Sequence, residues 1–243
     1  MAIDTTKTVR EFVLELPSST NVFEQLGIDY CCGGQKPLAE ACAAAGKKLD
    51  NLTTMLERLQ SEQQTRNTPA SSWATEPLYN LVEHIKTTHH AYVREQIPNL
   101  EALLDKVTAK HGENHPELAG VRDTFGTLAE ELTTHLMKEE QILFPYIVRS
   151  EESSLQHEPA SPSCFGSVEN PIRMMMSEHD SAGEALREIR RLTADYKLPE
   201  DACTSFRALY KLLQEFEADL HQHIHKENNI LFPRAMQLCR AAA

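Results

Sequence analysis

The sequence has few of the features that build strands, bind phosphate or cross a membrane. It shows little alternation of apolar and polar residues and no hairpin dipeptide between apolar runs, which excludes a sheet protein. Lys and Arg number 24 against 36 Asp and Glu, a formal charge of −12. Without clustered cations there is no surface to follow a nucleic-acid backbone, so partners are expected to be neutral, cationic or metallic. No stretch of about 20 apolar residues could span a bilayer, and the first 20 residues contain no apolar run of the signal-peptide kind. The expectation is a soluble cytoplasmic protein without a membrane or nucleic-acid partner. In that reducing setting Cys31, Cys32, Cys42, Cys164, Cys203 and Cys239 read as thiols rather than a disulfide framework.

What is present is helical. At 243 residues the chain can bury a real core. The polar stretch at 61–76 reads as a linker between a head, 1–60, and a body, 77–240. A Ser- and Pro-rich break at 150–167 divides the body into halves, each expected to form two long helices: 77–110 and 116–149, then 170–196 and 199–239. Pro77, Pro116, Pro171 and Pro199 stand where a first helical turn tolerates proline. The fold class is therefore all-α, an antiparallel four-helix bundle preceded by a small helical domain.

Two of the body helices carry the same polar pair on an apolar stripe. Val121, Phe125, Leu128, Leu132, His135, Glu139 and Leu143 follow the three-and-four spacing of one helix face, as do Leu209, Leu213, Phe216, Leu220, His223, Glu227 and Leu231. Residues four apart lie one above the other, so each His and Glu point inward together. Burying such groups unsatisfied costs about 2–7 kcal/mol each, and more for a charge. A core His–Glu hydrogen bond would explain one copy. Two copies, each running on to Leu-Phe-Pro, point to a shared site.

The partner helices supply the remaining donors. "VEH" ends at His84 and "SEH" at His179, and the spans to His135 and His223 are 51 and 44 residues, a difference of two helical turns. This reads as a duplicated helical hairpin with His84, His135, Glu139, His179, His223 and Glu227 directed at the bundle axis. His89, nearer the centre of its stripe, and His90 stand as alternatives to His84. Six donors without a thiolate exceed a tetrahedral zinc site and suit two ions, with mixed nitrogen and oxygen ligation favouring iron over calcium or magnesium, while manganese or zinc could fit the same cage. Glu131 and Glu178 are candidates for holding a ligand imidazole or lining an access path. Met174 to Met176 read as core packing. His111, His115 and His157 lie in polar loop context, and His221 and His225 on outer faces of the last helix.

"HLMKEEQILFP", "SEHDSAG" and "HIHKENNILFP" resemble the ligand segments of hemerythrin-like di-iron proteins, and "LGIDYCCGG" resembles the N-terminal domain of the RIC (repair of iron centres) iron-sulfur cluster repair proteins. The resemblance covers nearly the whole chain. It implies two iron ions in an oxo- or hydroxo-bridged non-haem centre, a homodimer, and repair of clusters damaged by oxidative or nitrosative stress. Its partners would be damaged iron-sulfur proteins or a cluster scaffold. Nitric oxide binding or reduction at the same centre is the alternative; a reductase needs electrons, and no flavin or nicotinamide fingerprint is present. Iron donation and gas chemistry use the same six donors.

The head is expected to hold three short helices, over "SSTNVFEQLG" with Asn21 as N-cap and Gly27 as stop, "KPLAEACAAAG" and "DNLTTMLERLQ". Cys31 and Cys32 sit between the first two, beside Gly33 and Gly34. Adjacent cysteines close a strained ring if paired, so both are expected as thiols, with a nearby helix N-terminus lowering one pKa to give a thiolate for iron or exchange.

Overall fold

The computed structural model describes residues 3–66, 73–158 and 165–241. Cys164 and parts of the two Ser- and Pro-rich breaks lie outside them. The described elements are helices: α1 Val9–Glu15, α2 Ser19–Leu26, α3 Leu38–Ala44, α4 Leu49–Arg66, α5 Leu78–His84, α6 Ala91–His111, α7 Glu117–Lys138, α8 Phe144–Leu155, α9 Glu169–Leu192, α10 Thr204–Lys226 and α11 Phe232–Ala241. Three π-helical turns, Ile85–His90, Glu139–Leu143 and Glu227–Leu231, join α5 to α6, α7 to α8 and α10 to α11. Among the described residues there is no strand, only an isolated bridge between Thr8 and Pro37. Residues 61–66, assigned by composition to a linker, continue α4.

The chain divides into two compact units, Met1–Pro77 with Ile224–Pro233, and Leu78–His223 with Arg234–Ala243. In the first, α1 was missed from sequence although its capping box is complete: Glu11 N donates to Thr8 Oγ1 at 3.1 Å and Thr8 N to Glu11 Oε2 at 2.7 Å. α2 begins after Ser18, which makes no side-chain cap bond, and Asn21 lies inside the helix rather than capping it. Gly27 stops α2 in the left-handed conformation, φ 66°. Phe12, Phe23, Leu38, Leu52 and Leu56 form this unit's core, each worth about 1.5–3 kcal/mol of burial.

The Cys31–Gly34 turn is built on one carboxylate. Asp29 Oδ1 accepts N–H groups from Cys31, Cys32 and Gly33 at 3.2, 2.9 and 3.0 Å. Its carbonyls are held too: Asn229 Nδ2 donates to Tyr30 O at 3.0 Å and Asn228 Nδ2 to Cys31 O at 3.3 Å. Pro233 has no N–H to offer the carbonyl four residues back, Asn229 O, and Arg10 Nε donates to it at 3.0 Å. His225 is buried rather than exposed, edge-on to Tyr30 at 5.7 Å. Burial pushes its imidazole down to about 3.

The second unit contains the helices of the bundle. α7 packs on both α6 and α9, and both expected apolar stripes are buried along their whole length. Phe125 and Phe216 meet edge to face at 5.5 Å. Of the methionine run only Met175 is core; Met174 and Met176 are exposed because three consecutive residues cannot share one helix face. The last long helix starts at Thr204 rather than 199. Ala194, Asp195 and Tyr196 are left-handed, φ 50°, 62° and 56°, a conformation costing about 1–2 kcal/mol per residue. Bonds from Tyr196 N to Thr193 Oγ1 and from Tyr196 Oη and Arg190 Nε to the buried Glu217 carboxylate hold the turn.

Candidate metal centre

Each π turn places a donor. Phe144 N donates to Glu139 O and Phe232 N to Glu227 O, five residues back, so Glu139 and Glu227 each open a wide turn. Ala91 N donates to Lys86 O in the same manner, and His90 closes that turn. His135 and His223 lie one α-turn before the two glutamates, and His179 lies within the regular helix α9. The ligand atoms of His90, Glu139, His223 and Glu227 all lie within 4.8 Å of one another, as do those of His135, Glu139, His179 and Glu227. All six side chains are buried.

The structure thus brings His135, Glu139, His179, His223 and Glu227 together, and the sixth member is His90 in place of His84. The π turn adds a residue between α5 and α6, so α-helical counting from His84 does not carry through it. His84 is half-buried, with Nδ1 3.3 Å from Thr88 Oγ1 and its ring edge-on to His89. His89 stacks on His223 and pairs through Nδ1 with Asp219 at 2.9 Å. The signal for His90 was in the spacing: His90 to His135 spans 45 residues and His179 to His223 spans 44.

The imidazoles meet in two facing pairs, His135 Nε2 to His179 Nε2 at 3.0 Å and His90 Nε2 to His223 Nε2 at 3.1 Å. Glu139 Oε2 lies 3.4 Å from both His90 Nε2 and His135 Nε2. Outer carboxylates fix two of the rings. Glu140 Oε1 lies 2.7 Å from His90 Nδ1, and Glu178 Oε2 lies 2.8 Å from His135 Nδ1. Burial works to raise Glu140, but hydrogen bonds from His90 and Arg94 hold its carboxyl below the ordinary value; Lys138 and His135 do the same for Glu178. An ionised carboxylate only accepts, so Nδ1 carries the proton and Nε2 presents a lone pair inward. Glu178 therefore sits where an orienting carboxylate is needed. Glu140, missed from sequence, has the same role, and its signal was the doubled Glu139-Glu140.

Facing nitrogens this close share either a proton, as Nε2–H···Nε2, or a cation. Two nitrogens bound side by side to one ion at about 2.1 Å are about 3.0 Å apart, the separation both pairs show. Four imidazoles exclude an oxygen-only calcium or magnesium cage. This cluster fits a metal site. Beside it a cavity of about 370 Å³ is lined by Glu131, Thr134, His135, Lys138, Glu178 and His179.

Comparison with known proteins agrees with this geometry. The family described as Hemerythrin HHE cation binding domain matches residues 80–235. A second family, described as Domain of Unknown function (DUF542), matches residues 5–60. The chain is 38% identical over 224 residues to the Iron-sulfur cluster repair protein YtfE of Yersinia pseudotuberculosis serotype IB (strain PB1/+), covering 92% of this chain and 94% of the relative. The protein of the same name from Yersinia pestis (strain Pestoides F) matches with equal identity and coverage. The chain belongs to this hemerythrin-type iron-sulfur cluster repair family.

In this family member the head's thiols depart from the expected chemistry. Cys31 and Cys32 are thiols with sulfurs 3.7 Å apart, and Asp29, Cys31 and Cys32 bring their ligand atoms within 4.8 Å. The Cys32 thiol, burial and the Asp29 carboxylate push the Cys31 thiol well up. The expected lowering by a helix N-terminus fails because Asp29 already takes the turn's N–H groups and adds negative charge beside the sulfur. Among the described residues no helix is long and apolar enough to cross a membrane.

Proposed function

We propose that this protein repairs iron-sulfur clusters damaged by oxidative or nitrosative stress by supplying iron from a di-iron centre. The observation that supports this most is the pair of four-donor groups sharing Glu139 and Glu227. His90, His135, Glu139, His179, His223 and Glu227 would hold two ions, oxo- or hydroxo-bridged when oxidised. Bound there, iron supplies exchangeable cargo and an open position for a small ligand. The chain's own residues do the rest. Glu140 and Glu178 keep the His90 and His135 lone pairs aimed inward, and Lys138 neutralises Glu178 at the cavity edge. The relatives' name supports damaged iron-sulfur proteins or a cluster scaffold as recipients. We place the activity in the cytoplasm, in a homodimer, with Asp29, Cys31 and Cys32 as a soft handover site whose thiols lose their protons only as the departing metal binds.

The cavity reaching His135 and His179 favours a second reading, nitric oxide binding or reduction at the same centre. One experiment separates them. Iron-loaded protein is mixed with an apo cluster protein, with and without nitric oxide, and iron is followed. Repair predicts transfer of iron and recovery of the recipient's cluster. Retained iron with consumption of nitric oxide would instead establish gas chemistry.

A further inference from the structure

The end of α6 and the start of α10 bring together a thiol and two imidazoles that the metal centre does not use. Cys203 immediately precedes α10 and its carbonyl accepts from Arg207 N at 3.0 Å. Its sulfur lies 3.2 Å from His111 Nε2, at the N-terminal end of α10. His111, which closes α6, is buried, whereas Cys203 is half-exposed. The Phe206 ring packs on His111 at 5.3 Å and stands edge-on to His115 at 5.4 Å, fixing both imidazoles beside the thiol. His115 is engaged elsewhere, with Asp201 at 2.9 Å and Glu117 at 3.0 Å. His111 is left to serve the sulfur. Twenty-one residues of helix separate His111 from His90, about 30 Å of rise.

We propose that Cys203 and His111 form a thiol-modification site, at which Cys203 attacks a low-molecular-weight disulfide of the glutathione disulfide class to give a mixed disulfide. The electron pair of the Cys203 thiolate forms the new S–S bond, the incoming disulfide's S–S bond breaks, and its second half leaves as a thiolate that takes a proton from the His111 side or from water. The disulfide is the oxidant and is reduced to one equivalent of thiol.

The Phe206 amide and His111 lower the thiol to about 7, with His115, Glu117 and Asp201 as the other titratable groups around it. At pH 7 about half the sulfur is then thiolate, against about 3% for a thiol of pKa about 8.5, roughly a 15-fold gain. Nucleophilicity falls with basicity and returns about fivefold of that. The net advantage is about threefold, so the pH profile is a sharper signature than the rate.

The test uses the full chain. Alkylation by iodoacetamide is followed by peptide mass spectrometry from pH 5.5 to 9.5, with Cys239 as the internal comparison, and glutathione disulfide is added in a parallel arm. The expected result is an inflection near pH 7 at Cys203, a glutathione adduct there that Cys203→Ser abolishes, and an inflection at higher pH in His111→Gln. An inflection at the ordinary thiol value, no adduct at Cys203, or an unchanged profile in folded His111→Gln would overturn the proposal. If His111→Gln does not fold by circular dichroism, the wild-type profile and adduct decide it.

Discussion

Replacing single donors one at a time should empty the centre in steps that the geometry specifies. His90 belongs to one group of four donors, Glu139 to both, and His84 to neither. Wild-type protein should bind about two irons per chain, and His84→Ala the same. His90→Ala should keep about one, because the group of His135, Glu139, His179 and Glu227 is untouched. Glu139→Ala should hold well below one. Losing an outer-shell partner alone costs about 10–100-fold in metal affinity, so losing a donor should cost at least about 1.4–2.7 kcal/mol at one ion. The assay is anaerobic reconstitution with ferrous iron, removal of excess by gel filtration, and colorimetric iron per folded chain. Thermal unfolding gives a second readout: an ion at 100 times its dissociation constant stabilises by about 2.7 kcal/mol. Iron should therefore raise the midpoint of His84→Ala as in wild type and that of His90→Ala by less. Loss of one iron in His84→Ala, with two kept by His90→Ala, would refute the assignment.

Three other outcomes follow from the packing and charges. A Cβ on Gly34 would lie 3.0 Å from Asn229 Oδ1 and 3.1 Å from Tyr30 O, so Gly34→Ala should cost about 1–3 kcal/mol in urea unfolding; an unchanged midpoint would show that the turn yields freely. The Cys31 thiol, buried and pushed well up beside Cys32 and Asp29, should alkylate more slowly at pH 7 than glutathione, measured on its own peptide, and an equal or faster rate would count against the buried thiol. His115 is raised by its hydrogen bond to Asp201, and Asp201 is lowered by the same bond. Their stabilisation is complete between the ordinary carboxylate and imidazole values, about 3.9 and 6.5. It is lost as pH rises through the raised His115 value or falls through the lowered Asp201 value. Asp201→Asn should move the His115 midpoint down by NMR titration; an unmoved midpoint would leave Asp201 without a part in it.

Most of the centre could be read from sequence because four of its six donors sit on, or one turn from, a regular apolar stripe. His135 and Glu139 follow Leu128 and Leu132, and His223 and Glu227 follow Phe216 and Leu220, so burial and direction came with the period. His90 did not, since it closes a π turn that no three-and-four count anticipates. The resemblance of "VEH" to "SEH" then favoured His84. Glu140 was hidden by its neighbour Glu139, and only the structure shows one carboxylate turned inward and the other toward His90 Nδ1. The late start of α10 was similarly illegible, because three successive left-handed residues without a glycine depend on Glu217, 21 residues beyond Tyr196. α1, by contrast, is legible in the spacing of Thr8 and Glu11, which forms its capping box.

The Leu-Phe-Pro that follows each His-x-x-x-Glu gives a physical reason for the wide turns. Proline offers no N–H to the carbonyl four residues back, and its ring clashes with that carbonyl in a regular α-turn. A turn closed by bonds five residues apart relieves both conflicts, and such turns precede Pro145 and Pro233. The extra residue lets Glu139 and Glu227 stay one α-turn above His135 and His223 while the chain beyond them is reset to pack Leu143, Phe144, Leu231 and Phe232 into the core. At the second copy the freed carbonyl of Asn229 is taken by Arg10, and Asn229 and Asn228 in turn hold the carbonyls of the Cys31 turn. The same π turn that carries Glu227 thus presents two amides to the cysteine turn. A proline placed six residues after a ligand is the sequence feature from which both arrangements follow.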